Sequence, residues 1–115
     1  IRNTKENHGN IFNDCTFKAL GKDAVIGRLP DNKGRNYPDA ECVLLNCTLE
    51  GVPSEGFGPV AESASTATLL EFNSHDKEGN AIDVSQRNRY VRQLDAIKDA
   101  TLIGKYADAS WVLNW

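Results

Sequence analysis

Two stretches of this chain read alike at an offset of 32 residues: Ile11-Phe12-Asn13-Asp14-Cys15-Thr16-Phe17 and Val43-Leu44-Leu45-Asn46-Cys47-Thr48-Leu49. In each, an apolar run leads into a polar residue, a cysteine, a threonine and one more apolar residue. A third run, Ala67-Thr68-Leu69-Leu70-Glu71-Phe72-Asn73, follows roughly 25 residues later and again ends on a polar residue. Recurrence at such a period is the mark of a stacked architecture, in which each unit buries its apolar positions against the next. Between the runs lie turn formers, Asp31-Asn32-Lys33-Gly34, Pro53-Ser54-Glu55-Gly56 and Lys77-Glu78-Gly79-Asn80, and not the long amphipathic helices of a βαβ fold. Asparagine supplies 11 of the 115 residues, and it tolerates left-handed backbone and can form side-chain ladders where equivalent positions stack. An all-β chain built as a parallel β-helix fits these features, with an antiparallel sandwich as the alternative on pattern alone.

At 115 residues the chain has room for one core. Thirteen basic against sixteen acidic residues give a net charge of -3, without the basic excess that marks a nucleic-acid partner. No apolar run approaches the roughly 18 to 20 residues of a membrane span, and the N-terminus lacks the apolar stretch of a signal peptide. Methionine is absent throughout, so the chain is expected to be a processed product or a segment of something longer. Cys15, Cys42 and Cys47 are odd in number and form no CxxC pair, which argues against a zinc site and a disulfide framework. Asp76, Glu78, Asn80 and Asp83 imitate a calcium loop, but Ala81 stands where glycine is needed and Arg87 where glutamate is needed. A solvated loop, with no metal and no cofactor, is the expectation. Neither His8 nor His75 has a serine in a Gly-x-Ser-x-Gly elbow to activate. The sequon Asn46-Cys47-Thr48 lies within a predicted strand, and no glycan is expected on it.

The tail differs in character. Asp95 is suited to an N-cap, residues 96–102 can form two helical turns, and Gly104 suits a C-terminal stop. The spacing of Val91, Leu94 and Ile97 also allows an earlier start. The predicted organisation is therefore coils over residues 1–74, a loop over 75–90, and over 91–115 a helix with an aromatic tail, Trp111 to Trp115, as a cap.

Taken in order, His8-Gly9-Asn10-Ile11-Phe12-Asn13-Asp14-Cys15-Thr16-Phe17, Val25-Ile26-Gly27-Arg28 and Val43-Leu44-Leu45-Asn46-Cys47 resemble the later part of a bacterial pectin methylesterase. The order continues: Pro53-Ser54-Glu55-Gly56-Phe57 is similar to that family's Pro-Glu-Gly-Trp turn, and Leu70-Glu71-Phe72-Asn73 to its Glu-Tyr-Asn strand. Arg92-Gln93-Leu94-Asp95-Ala96-Ile97-Lys98-Asp99-Ala100 resembles its short C-terminal helix. Each motif is short, and collinearity carries the resemblance over nearly the whole chain.

The resemblance implies the C-terminal coils of a right-handed parallel β-helix. It also implies a secreted, periplasmic or cell-surface bacterial enzyme that hydrolyses methyl esters of polygalacturonate, with pectin as its partner. In that family one ionised aspartate attacks the ester, a protonated one supplies the proton, amides stabilise the oxyanion, and an arginine keeps the nucleophile charged and oriented. Arg28 is the implied arginine, with Arg35 of Gly34-Arg35-Asn36-Tyr37 as the rival placement; Tyr37 and Phe57 are the implied sugar-facing aromatics, with core filling as the alternative for Phe57. Two departures stand out. The Asp-Phe-Ile-Phe-Gly type motif that carries a catalytic aspartate is absent, and Gly-Arg-Pro-Trp becomes Gly27-Arg28-Leu29-Pro30. The aspartates are therefore expected upstream, in an N-terminal portion with which this chain stays in contact, and the chain alone is expected to lack esterase activity. A pectate lyase and a non-catalytic carbohydrate-binding or structural β-helix are the alternatives.

Overall fold

The offset of 32 residues seen in the sequence is the register of a parallel strand pair. In the computed structural model, which describes residues 1, 3–29, 37–62 and 66–114, β1 (Asn10–Asn13) lies parallel to β3 (Glu41–Leu45) with Ile11 opposite Val43. β2 (Thr16–Lys18) lies parallel to β4 (Thr48–Glu50) with Phe17 opposite Leu49. β5 (Thr68–Phe72) and β6 (Val91–Gln93) extend the first sheet, giving the order β1-β3-β5-β6 beside the two-stranded β2-β4. All four strand pairings are parallel. The domain is thus built from parallel sheets, with two short helices, α1 (Ala100–Tyr106) and α2 (Ala109–Val112), at its C-terminal side.

The corner between the sheets explains the repeated polar residue. Asp14, Asn46 and Asn73 have φ of 57°, 55° and 56°, the left-handed region that Asn and Asp enter at least cost among residues with a Cβ. Equivalent corners stack, and the Asn73 amide Nδ2 donates to Asn46 Oδ1 at 2.8 Å. The backbone ladder runs through the bend: the N–H of Asn46 donates to the carbonyl of Phe72 at 2.9 Å, and that of Thr48 to the carbonyl of Cys15 at 2.8 Å. A third line of parallel contacts joins residues 26–29 to 56–61, with the Ile26 N–H on the Gly56 carbonyl at 2.8 Å and the Ala61 N–H on the Leu29 carbonyl at 2.7 Å.

Strand alternation divides the apolar residues between two cores. Cys42, Leu44 and Leu69 point between the walls, where they meet Cys47, Leu49, Phe57 and Leu29. Val43, Leu45 and Leu70 point the other way and are covered by Leu94 and Tyr106, with Leu102, Ile103 and Val112 packed alongside. Every residue of β3 is buried, which is why its sequence runs Cys-Val-Leu-Leu without polar alternation.

The C-terminal region corrects the sequence reading in three places. Val91–Gln93 is the fourth strand of the sheet, not an early helical turn. Asp95 caps a turn, its Oδ1 accepting from Ile97 N–H at 2.8 Å and Lys98 N–H at 2.9 Å, while the helix itself starts five residues later. Gly104 sits within α1 and does not end it. No helix among the described residues is long and apolar enough to cross a membrane.

Two outcomes are expected. Burial pushes the Cys42 thiol up to about 12 and also raises that of Cys47, whereas Cys15 is half-buried. Iodoacetamide at mildly alkaline pH should therefore modify one cysteine rapidly in the native protein and three after unfolding, as read by mass; rapid modification of Cys42 would contradict the inner core. Nothing lies within 4 Å of a Cβ built on Gly104, so Gly104→Ala should stabilise the fold by roughly 0.5–1 kcal/mol, measured by urea unfolding.

Candidate functional site

The residues implied by resemblance are placed as follows. Arg28 lies on the third wall between Gly27 and the buried Leu29, so alternation turns it outward, and it is exposed. Its guanidinium makes no ion pair with any described residue. Arg35 falls outside the described residues, as does Trp115. Tyr37 is half-buried against the inner core. Phe57 is only 1% exposed and fills that core, following the turn in which Gly56 takes a positive φ. The structure thus corrects the expected sugar-facing role of Phe57: no ring face is open to a ligand. Arg28 and Phe57 stand on opposite sides of one wall and are not brought together.

The charged groups that the fold does gather are two buried glutamates. Glu71 occupies an inward position of β5, opposite Leu44 on one side and Gln93 on the other, and is fully buried. The Arg87 guanidinium grips both its oxygens, Nε on Oε1 at 2.9 Å and Nη2 on Oε2 at 3.0 Å. Ser74 Oγ donates to Oε2 at 2.5 Å and Gln93 Nε2 to Oε1 at 2.6 Å. Arg87 is itself buried and spends Nη1 on the Ser54 carbonyl at 2.8 Å. A Cβ on Gly56, whose φ is +68°, would come within 2.8 Å of Arg87, so glycine here serves both the turn and the guanidinium. Burial drives the Glu71 carboxyl up, but the hydrogen bonds from Arg87, Ser74 and Gln93 outweigh it and hold the group below its ordinary range. With both carboxylate oxygens and all three guanidinium nitrogens engaged, the Glu71–Arg87 pair locks the core.

Glu41, at the first position of β3, projects to the opposite face. Its Oε1 accepts from His8 Nδ1 at 2.8 Å and from the Gly9 N–H at 3.0 Å, and its Oε2 accepts from the Tyr106 hydroxyl. The His8 ring is held between aromatic neighbours, 4.5 Å from Trp111 and 5.9 Å from Tyr106 between centroids. Gly9 has no alternative, since a Cβ there would lie 2.0 Å from the Glu41 carbonyl oxygen. Burial, with the bond to Glu41, raises the Tyr106 phenol well above its usual range. The other histidine is also partnered: His75 Nδ1 faces the Asn73 carbonyl at 3.1 Å, leaving Nε2 to accept from the Thr48 hydroxyl at 3.0 Å.

The sequence alone did not reveal these pairs. His8 and Glu41 are 33 residues apart, Glu71 and Arg87 are 16 apart, and only the strand register brings them together. Among the described residues no three His, Cys, Asp or Glu side chains converge as a metal site.

Removing one partner of the Glu71 pair leaves a buried charge, so Arg87→Met should cost about 3–5 kcal/mol at neutral pH in urea unfolding. Because the folded Glu71 sits below its ordinary value of 4.5, its contribution is present above that value and lost as pH falls through the lower folded one. The deficit of Arg87→Met should therefore shrink on acidification, since the orphaned carboxylate takes up a proton; a deficit independent of pH would contradict this account.

No family model, curated protein or solved structure matches this chain.

Proposed function

We propose that this chain forms part of a bacterial pectin methylesterase, a secreted, periplasmic or cell-surface hydrolase that removes methyl groups from polygalacturonate. The observation that carries the reading is the agreement between the collinear motifs and the coil register. The two segments most similar to the family stack in parallel at the offset of their repeat, and Gly27-Arg28 follows on an outer wall, where a guanidinium is free to meet a carboxylate and a polymer. On this reading the chain is the later part of a right-handed parallel β-helix. Arg28 is a positioning residue, holding an aspartate of another part of the polypeptide ionised and in plane.

A second reading has an observation of its own. Phe57 is buried and Leu29 stands where the family has proline, so among the described residues the wall around Arg28 lacks the stacking surface of an active sugar site. This favours a non-catalytic carbohydrate-binding or structural role.

Methanol release separates the two. A longer polypeptide carrying this chain should release methanol from methylated pectin, and the 115 residues alone should release none. In the longer protein Arg28→Ala should lower kcat by at least tenfold with little change in KM, because an orienting group acts on the transition state. Binding of pectin without methanol release would favour the second reading, and unsaturated sugar products would replace both with a lyase.

A further inference from the structure

The chain alone is expected to be inert on pectin because the aspartates are expected upstream, but the fold assembles a different base. The geometry points to a second, independent site: His8, oriented by Glu41, is a general base for hydrolysis of a small uncharged ester in the cavity between the N-terminal segment and the first ends of β3 and β5. That cavity has a volume of about 240 Å³, and His8, Glu41, Lys5, Asp39 and Thr68 are on its wall.

Three features carry the assignment. First, the tautomer is fixed: an ionised carboxylate that already accepts the Gly9 N–H can only accept from Nδ1, so the proton of a neutral ring sits on Nδ1 and the lone pair on Nε2. Secondly, the ring cannot turn away. Trp111 lies against it at 4.5 Å, and Tyr106 binds the second oxygen of the same carboxylate. His8 nevertheless keeps 30% of its side chain accessible, against 11% for Glu41, which is the arrangement of a working base over a buried orienting group. Thirdly, the charges select the substrate. Among the described residues, Glu6, Asp39 and Glu41 set three acidic groups against the ammonium of Lys5 on the wall, so a polygalacturonate is repelled and a small neutral ester is not.

The step balances with water as the co-reactant. A water molecule gives a proton to Nε2 as its oxygen bonds to the acyl carbon. The tetrahedral intermediate then breaks the carbon–oxygen bond to the leaving group, which takes the proton back. The products are a carboxylic acid and an alcohol.

Hydrolysis of p-nitrophenyl acetate by the 115-residue chain tests this, and it uses none of the residues assigned to pectin. The wild-type chain should show a rate that falls at least tenfold in His8→Gln and is unchanged in His75→Gln, with circular dichroism confirming that both variants fold. A folded His8→Gln protein at the wild-type rate, or an equal loss in His75→Gln, would overturn the assignment. Should His8→Gln not fold, diethyl pyrocarbonate on the wild-type protein decides: activity should disappear in step with modification of His8, located by mass spectrometry. Activity surviving full modification of His8 would overturn the site. Methanol release from pectin is scored separately, so failure here leaves the pectin reading standing, and the reverse also holds.

Discussion

The parallel hydrogen-bonded ladder between successive strands of each sheet is the constraint from which the other features descend. Short strands such as the three-residue β2, β4 and β6 have little stability singly, and each is held because the strand before or after it offers matching donors and acceptors. Stacking at fixed register places Leu44 beneath Phe12 and Leu49 beneath Phe17, so like side chains accumulate in columns and the inner core is continuous from coil to coil. β3 is the hub, paired on both edges by β1 and β5 and covered on both faces. Loss of that strand would separate the two cores and leave the helices without a surface.

Two carboxylates are drawn into this apolar frame, and they serve different ends. Glu71 is answered on every side by Arg87, Ser74 and Gln93, which converts an unfavourable burial into a specific lock at the end of the inner core. Glu41 is answered by groups from distant segments, His8 near the N-terminus and Tyr106 in α1. It therefore fastens the two chain ends to the central strand while leaving one ring nitrogen uncommitted.

The parallel pairing of the two repeated segments was legible because side-chain period and turn chemistry are local properties. The equivalence of Asp14-Cys15-Thr16 and Asn46-Cys47-Thr48 gives the offset, but Asn46, expected within a strand, turns the corner between β3 and β4. The helix boundary was misread for a similarly local reason: Asp95 does cap a turn, and the further strand Val91–Gln93 is too short to impose its own alternation. Phe57 can be read as a sugar-facing turn aromatic or as core filling, and tertiary packing selects the second, the inner core taking a large side chain there. The ion pairs were illegible in principle. Their partners meet only once the register is fixed, and Arg87, considered alone, served merely to dismiss a calcium loop.

The corners and the return segments of the coils obey different rules of length. Two residues always separate the strands at the corner, Asp14-Cys15 and Asn46-Cys47, while contacts between equivalent positions span 32 residues early in the chain, 27 later and 22 last. All variation in coil size is thus absorbed by the return path. A residue inserted there, outside the third wall of residues 26–29 and 56–61, lengthens a connection at small entropic cost. A residue inserted at the corner rotates every following side chain of that coil to the opposite face. Descendants of this chain can accordingly change the reach and chemistry of their outer loops freely, but they inherit the corner unchanged in length.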